Sequence, residues 1–199
     1  MLYSAYEMQK SMLAGASIAA QAGIRWATSP LNPLAYTGAG PLVASALDVF
    51  AHAATPYGKP AFGLGETMAH GRRVLVHERR VVRRPFGDLL HFEREGCSGD
   101  PRVLVVAPMS GHFATLLRGT VERLLPGHDV FITDWADAKM VPLSEGRFDL
   151  DDYIDYVIGF LEHIGPGAHV IAVCQPAVPV FAGLAIMGAA GHPATPVSA

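Results

Sequence analysis

The sequence predicts an α/β fold built on a parallel sheet, and three observations point to it. Short, continuously apolar runs recur at residues 102–107 (RVLVVA), 129–133 (DVFIT) and 169–173 (HVIAV), the pattern of strands buried on both faces. Between them apolar residues return at helical spacing, so strands and helices alternate. The last run leads through Cys174-Gln175-Pro176 into a segment that is apolar on every side, as a buried helix would be.

Taken in order, residues 2–27 read as an Ala-rich helix whose Tyr3, Tyr6, Met8, Met12, Leu13 and Trp26 could form a sticky face. That face would pack on the main domain or meet a hydrophobic polymer surface. Ala20-Gln21-Ala22 imitates a signal-peptidase site, but Glu7 and Lys10 precede it and the core between is mostly Ala, Gly and Ser. The expectation is a cytoplasmic protein, with a secreted form as the alternative. No stretch reaches the roughly 18 consecutive apolar residues of a membrane span, so no transmembrane segment is expected. Breakers follow at 29–33 and 38–41, then a second helix at 42–53 with Leu42, Ala46, Leu47, Val49 and Phe50 near helical spacing. Residues 56–65 are rich in Pro and Gly and read as a loop. Residues 1–70 are thus expected to be a helical and loop appendage before a domain spanning 71–199.

The period changes at Arg72. Residues 73–82 and 89–95 are strand-like and joined by a turn holding Pro85 and Gly87, which suggests an antiparallel edge hairpin. The loop at 96–101 follows, with Cys97 incidental. After the strand at 102–107, residues 113–125 place Phe113, Leu116, Leu117, Val121, Leu124 and Leu125 on one helical face. Residues 149–164 form the best-defined helix. Asp149 caps it, Asp151 and Asp152 complement its dipole, and Gly165-Pro166 stop it. Its apolar face holds Tyr153, Ile154, Val157, Ile158, Leu161 and Ile164.

The chemistry concentrates at Cys174, the expected nucleophile. A reactive side chain on a tight strand-to-helix turn is the arrangement of a nucleophile elbow. A helix N-terminus favours the thiolate, Pro176 suits a first helical turn, and the N–H of Gln175 is placed to donate to a developing oxyanion. The usual glycines two positions either side are replaced by Ala172 and Pro176. A buried structural cysteine at a strand end fits the same local pattern. The loop Pro108-Met109-Ser110-Gly111-His112 lies where such folds supply a second oxyanion donor, making the N–H of Met109 or Ser110 the candidate, against an ordinary tight turn. Asp134, at the end of its strand, either caps a turn or has a catalytic role.

Composition limits the alternatives. With 199 residues, 50% hydrophobic and 17% charged, the chain can bury a sizeable core. A net charge of −3 gives no electrostatic footprint for nucleic acid. The basic cluster Arg72, Arg73, Arg79, Arg80, Arg83 and Arg84 reads as a solvated face, with contact to an anionic surface as the minority alternative. Two cysteines and nine histidines show neither disulfide nor metal spacing, so no metal and no cofactor are expected.

The alternation of elements matches the front half of an α/β-hydrolase. The box Ala172-Val173-Cys174-Gln175-Pro176, the block from Ala107 to Pro176 and the opening MLYSAYEMQK together resemble intracellular polyhydroxyalkanoate depolymerases, bacterial enzymes that mobilise storage polyester such as polyhydroxybutyrate. The resemblance implies a carboxylic ester hydrolase in which Cys174 attacks the polymer ester and forms a thioester acyl-enzyme. Water or another acceptor then releases 3-hydroxyalkanoates. It further implies a cytoplasmic location on storage granules, with the polyester surface as partner. In α/β-hydrolases an acid and then a histidine follow the nucleophile. After Cys174 this sequence holds only His192 and no acidic side chain, and His192 stands in the wrong place for the base. The expectation is an N-terminal fragment, inactive alone, ending where the next strand should start. A polyester synthase-like acyltransferase and a non-catalytic granule-binding protein remain as alternatives; a Gly-x-Cys-x-Gly box would mark the synthase.

Overall fold

Along Val103, Leu104, Val105, Val106 and Ala107 no residue is more than 3% exposed, and their side chains alternate between two separate cores. That alternation follows from the period of two along a strand, and it requires helices over both faces of the sheet. Each such side chain fully buried contributes about 1.5–3 kcal/mol. The computed structural model describes residues 2–55, 58–109 and 113–199. They fall in two compact units, Met1–Gly58 and Lys59–Ala199.

The first unit holds α1 (Leu2–Ala27) and α2 (Ala39–Ala54), with a 3-10 turn at Pro33–Tyr36 between them. Asn32 organises the turn: its Oδ1 accepts from the Leu34 N–H and its Nδ2 donates to the Trp26 carbonyl, both at 3.0 Å. The helices approach closely at Gly23, where a Cβ would lie 2.9 Å from Leu47 Cδ1. No described helix is long and apolar enough to cross a membrane.

The second unit contains a six-stranded mixed sheet in the order β1-β2-β3-β5-β4-β6. Its strands are β1 (Glu66–Ala69), β2 (Arg72–Val82), β3 (Gly87–Arg94), β4 (Arg102–Val106), β5 (Asp129–Trp135) and β6 (His169–Ala172). β4 pairs in parallel with β5 and β6, while β3 is antiparallel to β5. This order, with helices on both faces, fits an α/β-hydrolase-like fold. α3 (Arg118–Leu124) covers one face through Val121. α4 (Leu150–Ile164) and α5 (Ala177–Ala189) cover the other through Tyr153, Val157, Leu161, Val180 and Met187. Asp149 caps α4 through a reciprocal pair with Asp152, as its sequence indicates.

Two expectations are corrected. The β2–β3 hairpin is not an edge, because β3 pairs with β5 and the short polar strand β1 lies outside β2. The stretch 113–125 is not one helix but a 3-10 turn, Ala114–Leu117, followed by α3. Leu117, with φ −94 and ψ 16, breaks the helical path between them. Only Leu117, Val121 and Leu125 of its predicted face are buried, and Leu116 is left exposed. β6 stands at the end of the strand order: Ile171 is 36% exposed, and its outer side meets a single bridge, His169 to Ser198, among the described residues. α5 is covered in part. One side faces the sheet and α4, leaving Val178, Phe181 and Ile186 exposed.

The arginines of the hairpin are largely matched. Arg73 pairs with Glu66, Arg79 with Glu93 and Arg80 with Asp88. Arg84 stacks over the Tyr156 ring at 4.7 Å, in the space that the absent side chain of Gly159 leaves open.

Candidate active site

β4 is the point where the sheet changes direction of growth. Its following helix, α3, lies on one face, whereas the helix after its neighbour β6, α5, lies on the other. The loops leaving these two strands therefore part, and a crevice opens at their carboxyl ends, where ligands of open α/β sheets bind. Met109 and Gln175 line it, next in the chain to Pro108 and Cys174.

Cys174 stands between β6 and α5 with φ +67 and is exposed. A non-glycine residue in this left-handed region costs about 1–2 kcal/mol, and such strain gathers at functional turns. Two hydrogen bonds hold the turn. The Val173 N–H donates to the Val106 carbonyl at 3.2 Å, and the Ala177 N–H donates to the Cys174 carbonyl at 3.1 Å. Pro176 precedes the helix as its cap residue with helical φ of −58, and Pro179 sits within the first turn, where a missing N–H leaves no bond unmade. Cys174 Sγ makes no hydrogen bond to any described residue.

The second strand end is placed by β5. The Ala107 N–H donates to Thr133 Oγ1 at 2.9 Å, and the Ala107 carbonyl accepts from Trp135 Nε1 at 2.7 Å. Both polar groups of that peptide are thereby fixed just before Pro108. Trp135 can lie there because Gly87 is opposite; a Cβ on Gly87 would come within 2.5 Å of the indole. Met109 is then held over the elbow, where its N–H donates to Gln175 Oε1 at 3.0 Å.

Of the sequence-predicted site residues, Cys174, Gln175 and Met109 are thus brought together across 66 residues of chain. Ser110, the other oxyanion candidate, lies outside the described residues. The Met109 N–H is not open, since an amide oxygen occupies it. The Gln175 N–H has no partner among the described residues. Asp134 caps no turn: it is buried and ion-paired with Lys59. His192 lies beyond the far end of α5, a helix of 13 residues and so about 20 Å long at 1.5 Å per residue. Its Nε2 pairs with Glu162 at 3.1 Å and its Nδ1 accepts from the Ala194 N–H. It does not reach Cys174.

Beside the elbow is a cavity of about 380 Å3 lined by Met109, Phe148, Asp149, Leu150, Tyr153 and Gln175. Sequence inspection counted Tyr153 among the apolar residues of its helix, and the helical period concealed its hydroxyl. Thr133 and Trp135 were missed because their hydrogen bonds run to another strand. Burial pushes the Tyr153 phenol well above its ordinary range, with a smaller opposing effect from Trp135. Among the described residues no group of three or more His, Cys, Asp or Glu side chains could hold a metal ion.

No family model and no curated protein matches the chain. Among solved structures it is similar to a predicted CIB-like hydrolase from Thermoplasma acidophilum, at 10% sequence identity and a TM-score of 0.37. The alignment covers 55% of this chain and 56% of that one, so the chain spans about half the length of the structure it matches.

Proposed function

We propose that this chain bears the nucleophile of a carboxylic ester hydrolase acting on storage polyester, as an intracellular polyhydroxyalkanoate depolymerase does. The observation that carries it is Cys174 itself, exposed at positive φ on a strand-to-helix turn and next in the chain to Gln175, whose side chain accepts from the Met109 N–H. The Cys174 thiolate attacks the ester carbonyl carbon, forming a C–S bond. The resulting oxyanion accepts from the Gln175 N–H and, once the Gln175 side chain swings aside, from the Met109 N–H. Its collapse breaks the C–O bond, and the alcohol end of the polymer leaves with a proton. A thioester on Cys174 remains. The polyester surface of cytoplasmic granules is the partner this chemistry implies.

Deacylation by water needs a general base, and no described residue is hydrogen-bonded to the Cys174 thiol. The expected outcome with an activated hydroxyacyl ester is therefore one acyl group on Cys174 and slow turnover. Iodoacetamide near neutral pH is expected to label Cys174 about tenfold faster than Cys97. Mass spectrometry of the peptides reads both; labelling of Cys97 first, or no acyl adduct on Cys174, would end this proposal.

A further inference from the structure

A phenol taken out of water costs free energy unless its hydroxyl finds a partner, and most buried side-chain hydroxyls have one. Tyr153 is 3% exposed, and its Oη is buried with no hydrogen-bond partner among the described residues. Its neighbours do not supply one. Trp135 meets the ring edge-on at 4.5 Å, but its N–H is committed to the Ala107 carbonyl. Phe148, at 5.9 Å between ring centres, has no polar atom to offer. Asp149 Oδ1 is occupied by the N–H groups of Asp151 and Asp152.

The same tyrosine lines the cavity beside the elbow, together with Met109 and Gln175. Phe148 and Leu150 make much of the remaining wall apolar. An apolar pocket by itself discriminates weakly between acyl chains of one shape, whereas a buried donor that only the right ligand satisfies discriminates strongly. Resting on Cys174 as the nucleophile, we propose that Tyr153 is a specificity residue of the acyl pocket. Its Oη–H donates to an oxygen borne on the acyl chain, so that the site selects hydroxyacyl esters over plain acyl esters of equal length. A polyester repeat carries such an oxygen on every acyl unit. Because burial keeps the phenol protonated, the donor is present throughout the neutral range.

Binding tests this without any reaction at sulfur. In the full chain carrying Cys174→Ala, calorimetry is expected to show methyl 3-hydroxybutanoate bound about tenfold more tightly than methyl butanoate, the worth of one net hydrogen bond. Adding Tyr153→Phe is expected to abolish that preference and leave methyl butanoate affinity unchanged. Equal affinities in the first protein, a preference that survives Tyr153→Phe, or no binding of either ester overturns the proposal. So does a lower melting temperature for Tyr153→Phe, which would show that the hydroxyl already has an internal partner. If the preference holds while Cys174 refuses acylation, it is the nucleophile assignment that falls and not the role of Tyr153.

Discussion

The two ends of the parallel strands differ in what their polar groups are committed to. At the amino ends lies the larger cleft, about 690 Å3, among Arg94, Asp100, Arg102, Asp129 and the loop after β3. There most charged groups answer one another, although Arg94 Nε is buried without a hydrogen-bond partner among the described residues. Arg94 is buried, with Nη1 donating to the Leu125 carbonyl at 3.0 Å and Nη2 to Asp100 at 2.6 Å. His70 also meets Asp100 at 3.0 Å, and His91 pairs with Asp129 at 2.7 Å while stacking on Phe131. At the carboxyl ends the smaller cavity adjoins an exposed thiol and is lined by Tyr153, whose hydroxyl is buried; neither thiol nor hydroxyl is hydrogen-bonded to a described residue. The proposed chemistry thus lies at the smaller cavity, beside the strained turn at Cys174, and not at the larger cleft.

The contrast can be broken most forcefully at the amino ends. Arg94→Met removes the guanidinium from a buried network and is expected to lower unfolding stability by about 3 kcal/mol, read from the urea midpoint, with the iodoacetamide rate at Cys174 unchanged. An equal loss of Cys174 reactivity would show that the two ends are one coupled unit. At the carboxyl end the sign reverses. Cys174→Gly relieves the left-handed strain and is expected to raise stability by about 1 kcal/mol while abolishing the fast thiol. A destabilised variant would mean that the elbow is held by its side chain.

The smallest effect is one of pH. Hydrogen bonds from His70 and then Arg94 hold the Asp100 carboxyl below its ordinary range. The native state thus binds that proton less readily than the unfolded chain does. Its contribution is present above the ordinary carboxylate range near pH 4 and is lost as pH falls through the lower native value. Asp100→Asn is expected to flatten this acid limb of stability slightly, because the carboxylate is near solvent and screened. A limb left unchanged would assign acid sensitivity to another group.

Much of the sheet was legible because burial on both faces leaves no room for polar residues. β4, β5 and β6 lie where the apolar runs stand, and α4 starts where Asp149 can cap it. Helix periodicity misled where the chain tightened, as at Leu117, and β1 escaped notice because four half-polar residues carry no period. The apolar runs of β6 and α5 mark them as elements built for burial, but composition does not say which neighbours cover a face. Cys174 stood out because a strand, a polar turn and a helix follow one another directly in sequence.

Residue order alone determined where the parallel strands β4, β5 and β6 run, where the long helix is capped, and that a thiol interrupts the path from sheet to helix. These are properties of neighbours along the chain, carried by periods of two and 3.6 and by local hydrogen bonds. The folded sheet decided the rest. Strand order sets β5 beside β4 and β4 beside β6, which fixes Ala107 through Thr133 and Trp135, brings the Met109 N–H to Gln175, and sets Tyr153 in one cavity wall with them. Such meetings depend on pairings between residues tens of positions apart, and no local pattern encodes them.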